Sequence, residues 1–508
     1  MTEKSPQRFL LDIVPLTRLP LGRDQSLWYE HDEALPAGTP VRIPIGRREV
    51  FGVVLSSRED IRRRGGIKLK KIIRVCRSGR FTAEQMALAA YLSDLTLTPL
   101  GTVWRQFYIP AVSERTPPKF PKKKLLLPPP LSAHLKPIFR EITASFSRGK
   151  TFLLRDTPAT ARDGLFFHLT EKILSRPDGQ VLVLLPEVLS AVLTAKRFAR
   201  HFPAEQTALI HNKVSVGALS RLREEISAGK IRLIIGTRKS VFLPFAKLSL
   251  IVIDEEHEIG FKNWDAAPRF DARDAARFLS RAHSCPLLAV SAAPRLTRRV
   301  PSPLAPPPAS VPLEIIDMRP PYEPSKKPKK RSRFEIISPA LREALEEVLR
   351  ENRQALLFVN RRGMSAFSVC TDCRALLACP NCDRALISVK EGHWECLHCD
   401  HKTSIFPRCP RCKGLFFRNI GYGTEKIQER LSKLFPQARL ARVDGHSLRR
   451  VGAAEETAAD FLSGKTDILI GTQMALKDWR APELALVGIL DADALLSIPD
   501  IYADCRIF

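Results

Sequence analysis

Leu250-Ile251-Val252-Ile253-Asp254-Glu255-Glu256-His257 is the stretch that decides the fold of this chain. Four apolar residues run without a polar break into three carboxylates and an imidazole. Such a run reads as a strand buried on both faces, which belongs in a parallel sheet covered by helices. Similar runs surround it, separated by helical patterns: Phe152–Leu154, Val181–Leu185, Ala208–Ile210, Ile231–Ile235 and Leu287–Val290. An α/β sheet over 135–300 follows. A second α/β pattern begins at Leu341 and runs through Ala355–Val359, Arg439–Val443, Ile468–Ile470 and Leu486–Leu490. A cysteine block interrupts it.

Outside these patterns the composition changes. Residues 1–75 read as short strands, with a hairpin over Val41–Arg48 and Val50–Leu55. Residues 81–110 read as helical, with Thr82 as a cap and Met86, Leu88, Ala89, Leu92 and Leu95 near helical spacing. Residues 113–134 and 301–335 are Pro-rich and basic and read as linkers. The expected domains are 1–75, 76–112, 135–300, and 336–369 with 413–508, plus an insert over 370–412.

The 508 residues carry a formal charge of +27, concentrated in Arg62–Arg64 with Lys68–Lys71, in Lys119–Lys124 and in Lys326–Arg333. One such run is ordinary solvated linker. The sum points to a polyanion, because Lys and Arg release counterions when they neutralise phosphates. A hydrophobic share of 44% fits a folded chain rather than a disordered one. Residues 1–20 lack the apolar core of a secretory signal, and no run reaches the roughly 20 apolar residues of a membrane span. A cytoplasmic, nucleoid-associated protein with no membrane partner is expected.

Of 11 cysteines, eight form C-x-x-C pairs: Cys370/Cys373, Cys379/Cys382, Cys396/Cys399 and Cys409/Cys412. Each pair can present two thiolates to one ion, and two pairs complete a tetrahedral zinc site. Two structural zinc ions are expected, folding a core-poor insert. Spacing leaves sequential and nested pairings equally open. His393, His398 and His401 lie between the pairs and are read as non-ligands. Cys76, Cys285 and Cys505 show no metal spacing and are read as buried thiols.

An apolar strand delivering D-E-x-H has the form of a helicase Walker B motif. Asp254 would hold Mg²⁺, Glu255 would orient water and His257 would couple the site to the rest of a motor. Ile235-Gly236-Thr237-Arg238-Lys239-Ser240, Phe261-Lys262-Asn263-Trp264 and Pro268-Arg269-Phe270-Asp271-Ala272-Arg273-Asp274 accompany it. Phe358-Val359-Asn360-Arg361-Arg362-Gly363 leads into the cysteines, Gly421-Tyr422-Gly423-Thr424-Glu425 follows them, and Gly471-Thr472-Gln473-Met474 comes later. In order and spacing these motifs resemble the PriA family of replication-restart helicases from about residue 8 to 500. The resemblance implies a β-rich domain holding a DNA 3′ end, a winged helix, two RecA-like lobes and a two-zinc insert in the second lobe. It implies nested pairing, with Cys370, Cys373, Cys409 and Cys412 on one zinc and Cys379, Cys382, Cys396 and Cys399 on the other. It also implies DNA contacts by Gly46, Lys70, Lys262 and Trp264, with Trp28 where the family has a carboxylate.

The phosphate loop departs from the family. Arg155-Asp156-Thr157-Pro158-Ala159-Thr160-Ala161-Arg162-Asp163-Gly164 follows the strand Thr151–Leu154. The family's loop glycines fall on Asp156, Ala159 and Ala161. Arg162 stands at its Lys and Asp163 at its hydroxyl, so the ATP- and Mg²⁺-binding positions are degenerate. Ser291-Ala292-Ala293 replaces Ser-Ala-Thr, and the chain stops at Phe508, before the family's motif VI. The expectation is a restart protein, taking part in primosome assembly, that binds forked DNA and recruits restart proteins with ATP hydrolysis lost or weak. The alternatives are an active 3′–5′ helicase and a zinc scaffold without DNA function.

Overall fold

The computed structural model describes residues 8–22, 24–59, 69–76, 79–108, 125–146, 148–155, 159–295, 312–318, 337–359, 367–373, 375–381, 386–390, 393–396, 399, 401–403, 408–409, 411–420, 424–443, 453–472, 481, 483–490 and 492. The chain divides into two compact units, Met1–Pro308 and Ala309–Phe508.

The first unit opens with five antiparallel strands: β1 (Phe9–Pro15), β2 (Leu27–His31), β3 (Pro40–Ile45), β4 (Arg48–Glu59) and β5 (Arg74–Val75). Their spatial order is β2-β1-β4-β3-β5. The expected hairpin is β3–β4, with Ile43 opposite Val50 and Ile45 opposite Arg48. Its tight turn needs left-handed backbone, which Gly46 supplies at φ +57.

The helical stretch expected over 81–110 is two helices, α1 (Ala83–Thr96) and α2 (Leu100–Phe107). Thr82 caps α1 in a reciprocal box with Gln85, at 3.2 and 3.1 Å. Leu97 turns left-handed, and Pro99 starts the second helix without an N–H to leave unpaired. Both helices share a core with the sheet that follows. Phe107 meets Phe242 at 4.8 Å, and Phe242 meets Phe270 at 4.9 Å. Of the winged helix expected over 76–112, residues 77–78 and 109–112 lie outside the described residues.

Next come α3 (Lys136–Thr143), β6 (Thr151–Arg155), α4 (Ala159–Leu174), β7 (Gln180–Leu184), α5 (Val188–Phe198) and β8 (Thr207–Ile210). They lead to α6 (Val216–Ser227), β9 (Leu233–Gly236), β10 (Leu248–Ile253), α7 (Ala272–Ala282) and β11 (Leu287–Ser291). The six strands form one parallel sheet in the order β6-β11-β10-β7-β9-β8. Alternation splits each strand between two cores: Ile251 and Ile253 face one, Leu250 and Val252 the other. Part of the stretch read as a linker is docked on this lobe, where Leu126 N–H donates to the Arg200 carbonyl at 2.7 Å.

The second unit holds α8 (Pro339–Arg350), β12 (Gln354–Val359), β13 (Phe367–Cys370), β14 (Ile387–Lys390), β15 (His393–Glu395), β16 (Lys402–Thr403) and β17 (Phe417–Ile420). It continues with α9 (Thr424–Leu434), β18 (Leu440–Val443), α10 (Ala453–Leu462), β19 (Ile468–Gly471) and β20 (Leu484–Leu490). The parallel order β18-β19-β12-β20 repeats the order β8-β9-β7-β10 of the first unit. The cysteine module, closed at its base by the antiparallel β13–β17 pair, enters between β12 and β18.

One buried glutamine serves each sheet. Gln180 donates to the carbonyls of Ile226 and Ile231 at 2.9 and 2.8 Å, and its Oε1 accepts from the N–H groups of Ala246 and Lys247. Gln354 donates to the carbonyls of Phe461 and Thr466, both at 2.7 Å. The acceptors are again five residues apart, and the strand pairing slips by one residue beside each glutamine. Gln180→Leu strands buried backbone groups and should destabilise the first unit by about 2–3 kcal/mol. Hydrogen exchange should show lost protection in β7 with β12 unchanged, and Gln354→Leu should show the reverse. Unchanged β7 protection would refute the assignment.

Candidate nucleotide site and metal centre

Strand β10 carries the acidic tetrad to the carboxyl edge of its sheet, where open α/β sheets bind ligands. Asp254 N–H donates to the Leu184 carbonyl at 3.0 Å, and Glu256 N–H to the Val290 carbonyl at 2.8 Å. Glu255 adopts φ +53 in the sharp turn between them. His257 Nδ1 lies 2.9 Å from Ser291 Oγ, which links the tetrad to the end of β11.

Helix α4 brings Arg162 and Asp163 to the same edge. Arg162 Nη1 sits 3.1 Å from Asp254 Oδ1, with only 13% and 3% of the two side chains exposed. A carboxylate buried this far needs a cation, and the guanidinium supplies it. Asp163 turns the other way, and its Oδ2 is 3.0 Å from Arg197 Nε of α5. ATP with Mg²⁺ does not fit this set. The carboxylate that would hold the metal is taken by Arg162, and Asp163, whose charge Arg197 neutralises, offers no hydroxyl as a ligand. Asp156, Thr157 and Pro158 lie outside the described residues. Nothing in the sequence marked Arg197, because its role depends on α5 packing beside α4.

The turn after the tetrad is fastened to α7. Arg273 grips both Asp271 oxygens at 2.8 Å and donates to the carbonyls of Glu256 and Glu258. Burial alone would raise the Asp271 carboxyl, but the Arg273 fork outweighs it and holds it at about 2. Lys262 and Trp264 lie on the loop before α7, with Trp264 exposed. Gly46 and Lys70 lie instead on the N-terminal sheet. There the Lys70 carbonyl accepts from Glu30 N–H at 3.0 Å, and Tyr29 Oη donates to the Pro44 carbonyl at 3.1 Å. Trp28 is partly exposed beneath Arg58, whose guanidinium is 5.6 Å from its ring.

In the second unit the sulfurs of Cys370, Cys373, Cys409 and Cys412 lie within 4.8 Å of one another, as do those of Cys379, Cys396 and Cys399. Across the first group, Cys370 and Cys412 are 3.5 Å apart and Cys373 and Cys409 3.4 Å. A tetrahedral ion with Zn–S near 2.3 Å requires S–S separations of about 3.8 Å, so the donors fit. Cys382 lies outside the described residues. Three of the turns share one device: Cys370, Cys396 and Cys409 each donate N–H to the carbonyl five residues on, at 2.8–2.9 Å. Gly414 backs the first cluster, where a Cβ would come within 2.4 Å of Asp372 and 3.3 Å of two cysteine sulfurs. Burial pushes the Cys370 thiol up to about 11, so a bound cation is what would hold these thiolates ionised. Cys76 is only half-buried, unlike Cys285, so the reading of both as buried thiols holds for Cys285 alone. Cys505 lies outside the described residues.

Metal analysis should find two zinc ions per chain. Changing Cys370 and Cys373 to Ser should remove one and leave the other, and loss of both together would overturn the separation into two clusters.

A family model described as the 3'DNA-binding domain (3'BD) matches residues 14–108, which span the N-terminal sheet and both helices. The chain is 33% identical over 392 residues to the replication restart protein PriA of Bacillus subtilis (strain 168), covering 73% of this chain and 47% of that one. It is 30% identical over 497 residues to the replication restart protein PriA of Treponema pallidum (strain Nichols), covering 94% and 73%. For the same protein of Rickettsia conorii (strain ATCC VR-613 / Malish 7) the figures are 28% over 501 residues, covering 94% and 74%. The chain spans about half the length of the Bacillus relative. With its motifs, its fold and these relatives in agreement, the chain belongs to the PriA family of replication restart proteins.

Proposed function

We propose that this chain binds branched DNA and recruits replication restart proteins, with ATP hydrolysis lost or weak. The observation that carries the second half is the Arg162–Asp254 contact. A metal ion needs that carboxylate free, and phosphoryl transfer depends on the metal. The first half is supported by the 3'DNA-binding match and by the charge of +27. Gly46, Lys70, Lys262 and Trp264 are the residues we assign to DNA. The two cysteine clusters would hold structural zinc. Among the described residues no helix is long and apolar enough to cross a membrane.

A second reading, an active 3′–5′ helicase, is favoured by the intact His257–Ser291 contact. DNA-dependent ATP hydrolysis on forked DNA, with Asp254→Asn beside the unaltered chain, separates the two. We expect no turnover above background and fork binding that weakens steeply with salt. Turnover abolished by Asp254→Asn would establish the helicase reading instead.

A further inference from the structure

Three guanidiniums converge where the N-terminal sheet meets α2 and α6. Arg42 stands directly opposite Arg74 across the β3–β5 pair and opposite Phe51 across β3–β4. Residues opposite one another in antiparallel strands share a face, so Arg74, Arg42 and Phe51 form one row, and its two like charges repel. The Arg42 guanidinium lies 3.5 Å from the centroid of the Phe51 ring. Tyr108, at the end of α2, packs on the same phenylalanine with ring centroids 4.3 Å apart. Arg223 arrives from α6 and is only 8% exposed. Its Nη1 donates to the Phe107 carbonyl at 3.1 Å, and its guanidinium sits 4.6 Å from the Phe81 ring.

Among the described residues no carboxylate forms an ion pair with Arg42, Arg74 or Arg223. Glu49 shares the face of Phe51, and Glu224 follows Arg223 on α6, but both are exposed and neither pairs with these arginines. Arg42 Nε and Arg223 Nη2 are buried without a hydrogen-bond partner. The aromatic rings cover guanidinium faces, yet the N–H donors point along the guanidinium edges and still need acceptors. The Tyr108 hydroxyl marks where the three cations meet. Burial pushes it up to about 12 and the Cys76 thiol adds to the rise, while Arg42, Arg223 and Arg74 each pull it back. An oxyanion matches this set, because it accepts several N–H bonds at once and offsets the repulsion along the row. Arg74 is exposed, which leaves one edge open to solvent.

We propose that Arg42, Arg74 and Arg223, with the Tyr108 hydroxyl, form a binding site for a phosphoryl group at this junction. Bound there, the anion bridges β3, β5 and α6 and so fastens the N-terminal sheet to the parallel-sheet lobe. A free phosphorylated solute and a nucleic-acid backbone both carry this chemistry, and the two sources are separable by experiment. The site shares no residue with the acidic tetrad.

The test is calorimetric titration of inorganic phosphate into the full chain with its zinc, against sodium chloride of equal ionic strength. Phosphate should bind saturably at one site, and chloride should not. Arg74→Gln should weaken phosphate binding by about tenfold, the effect of losing one charge-assisted hydrogen bond. Arg42→Gln should act in the same direction. Arg223→Met should do so too, and if that buried change prevents folding, the exposed Arg74 still carries the test. Arg48→Gln is the control, since strand alternation places Arg48 on the opposite face of β4 from Phe51. Saturating phosphate should also slow hydrogen exchange in β5 and at the end of α2. Absence of saturable phosphate binding, or equal losses from Arg74→Gln and Arg48→Gln, would overturn the site. Repeating the titration on chain saturated with a short DNA duplex identifies the source. Phosphate excluded by the duplex, with duplex affinity lowered by Arg74→Gln, would support the site with a DNA backbone as its occupant. Phosphate binding unchanged by the duplex would support it with a free solute instead.

Discussion

A carboxylate at the end of a strand buried on both faces must find a positive partner, and the junction of β10 with α4 meets that requirement. Strand β10 leaves Asp254 only 2% exposed. In a working nucleotide site the partner is a metal ion. Here it is Arg162, and the choice has consequences. It ties the first turn of α4 to the end of β10, and Asp163 on the next residue is then matched by Arg197. Removing one member of such a pair costs more than the pair contributes, because the survivor is left charged in a dry site.

The surroundings of the tetrad are organised by internal contacts. His257 meets Ser291, Glu256 N–H reaches the end of β11, and Arg273 holds the following turn against α7. These contacts need no ligand. They hold the loop bearing Lys262 and Trp264 against α7.

The two α/β halves show how an insert is accommodated. Gln180 and Gln354 do the same work at the start of matching strands, satisfying backbone groups that helix ends leave unpaired. The cysteine module enters between β12 and β18, and the ladders β18-β19-β12 are undisturbed. A module this small has little apolar core, so metal ligation would replace burial as its source of stability.

Features that depend on near neighbours were legible in the sequence: the buried strands, the β3–β4 hairpin, the Thr82 cap and the C-x-x-C turns at Cys370, Cys396 and Cys409. Each is set by backbone sterics and side-chain pattern within a few residues. Contacts between distant segments were not legible. Arg223 reaches the Phe107 carbonyl across 116 positions, and Asn263 looked like one residue in a motif rather than the clasp of a loop. Spacing left the cysteine pairing open, and the nested arrangement emerges only where Cys370 meets Cys412. The residue types Arg162 and Asp163 could be read directly from the sequence. Which cation neutralises Asp254 was decided by the tertiary structure alone, because charges pair by distance in space, and only the packing of α4 and α5 on the sheet sets that distance.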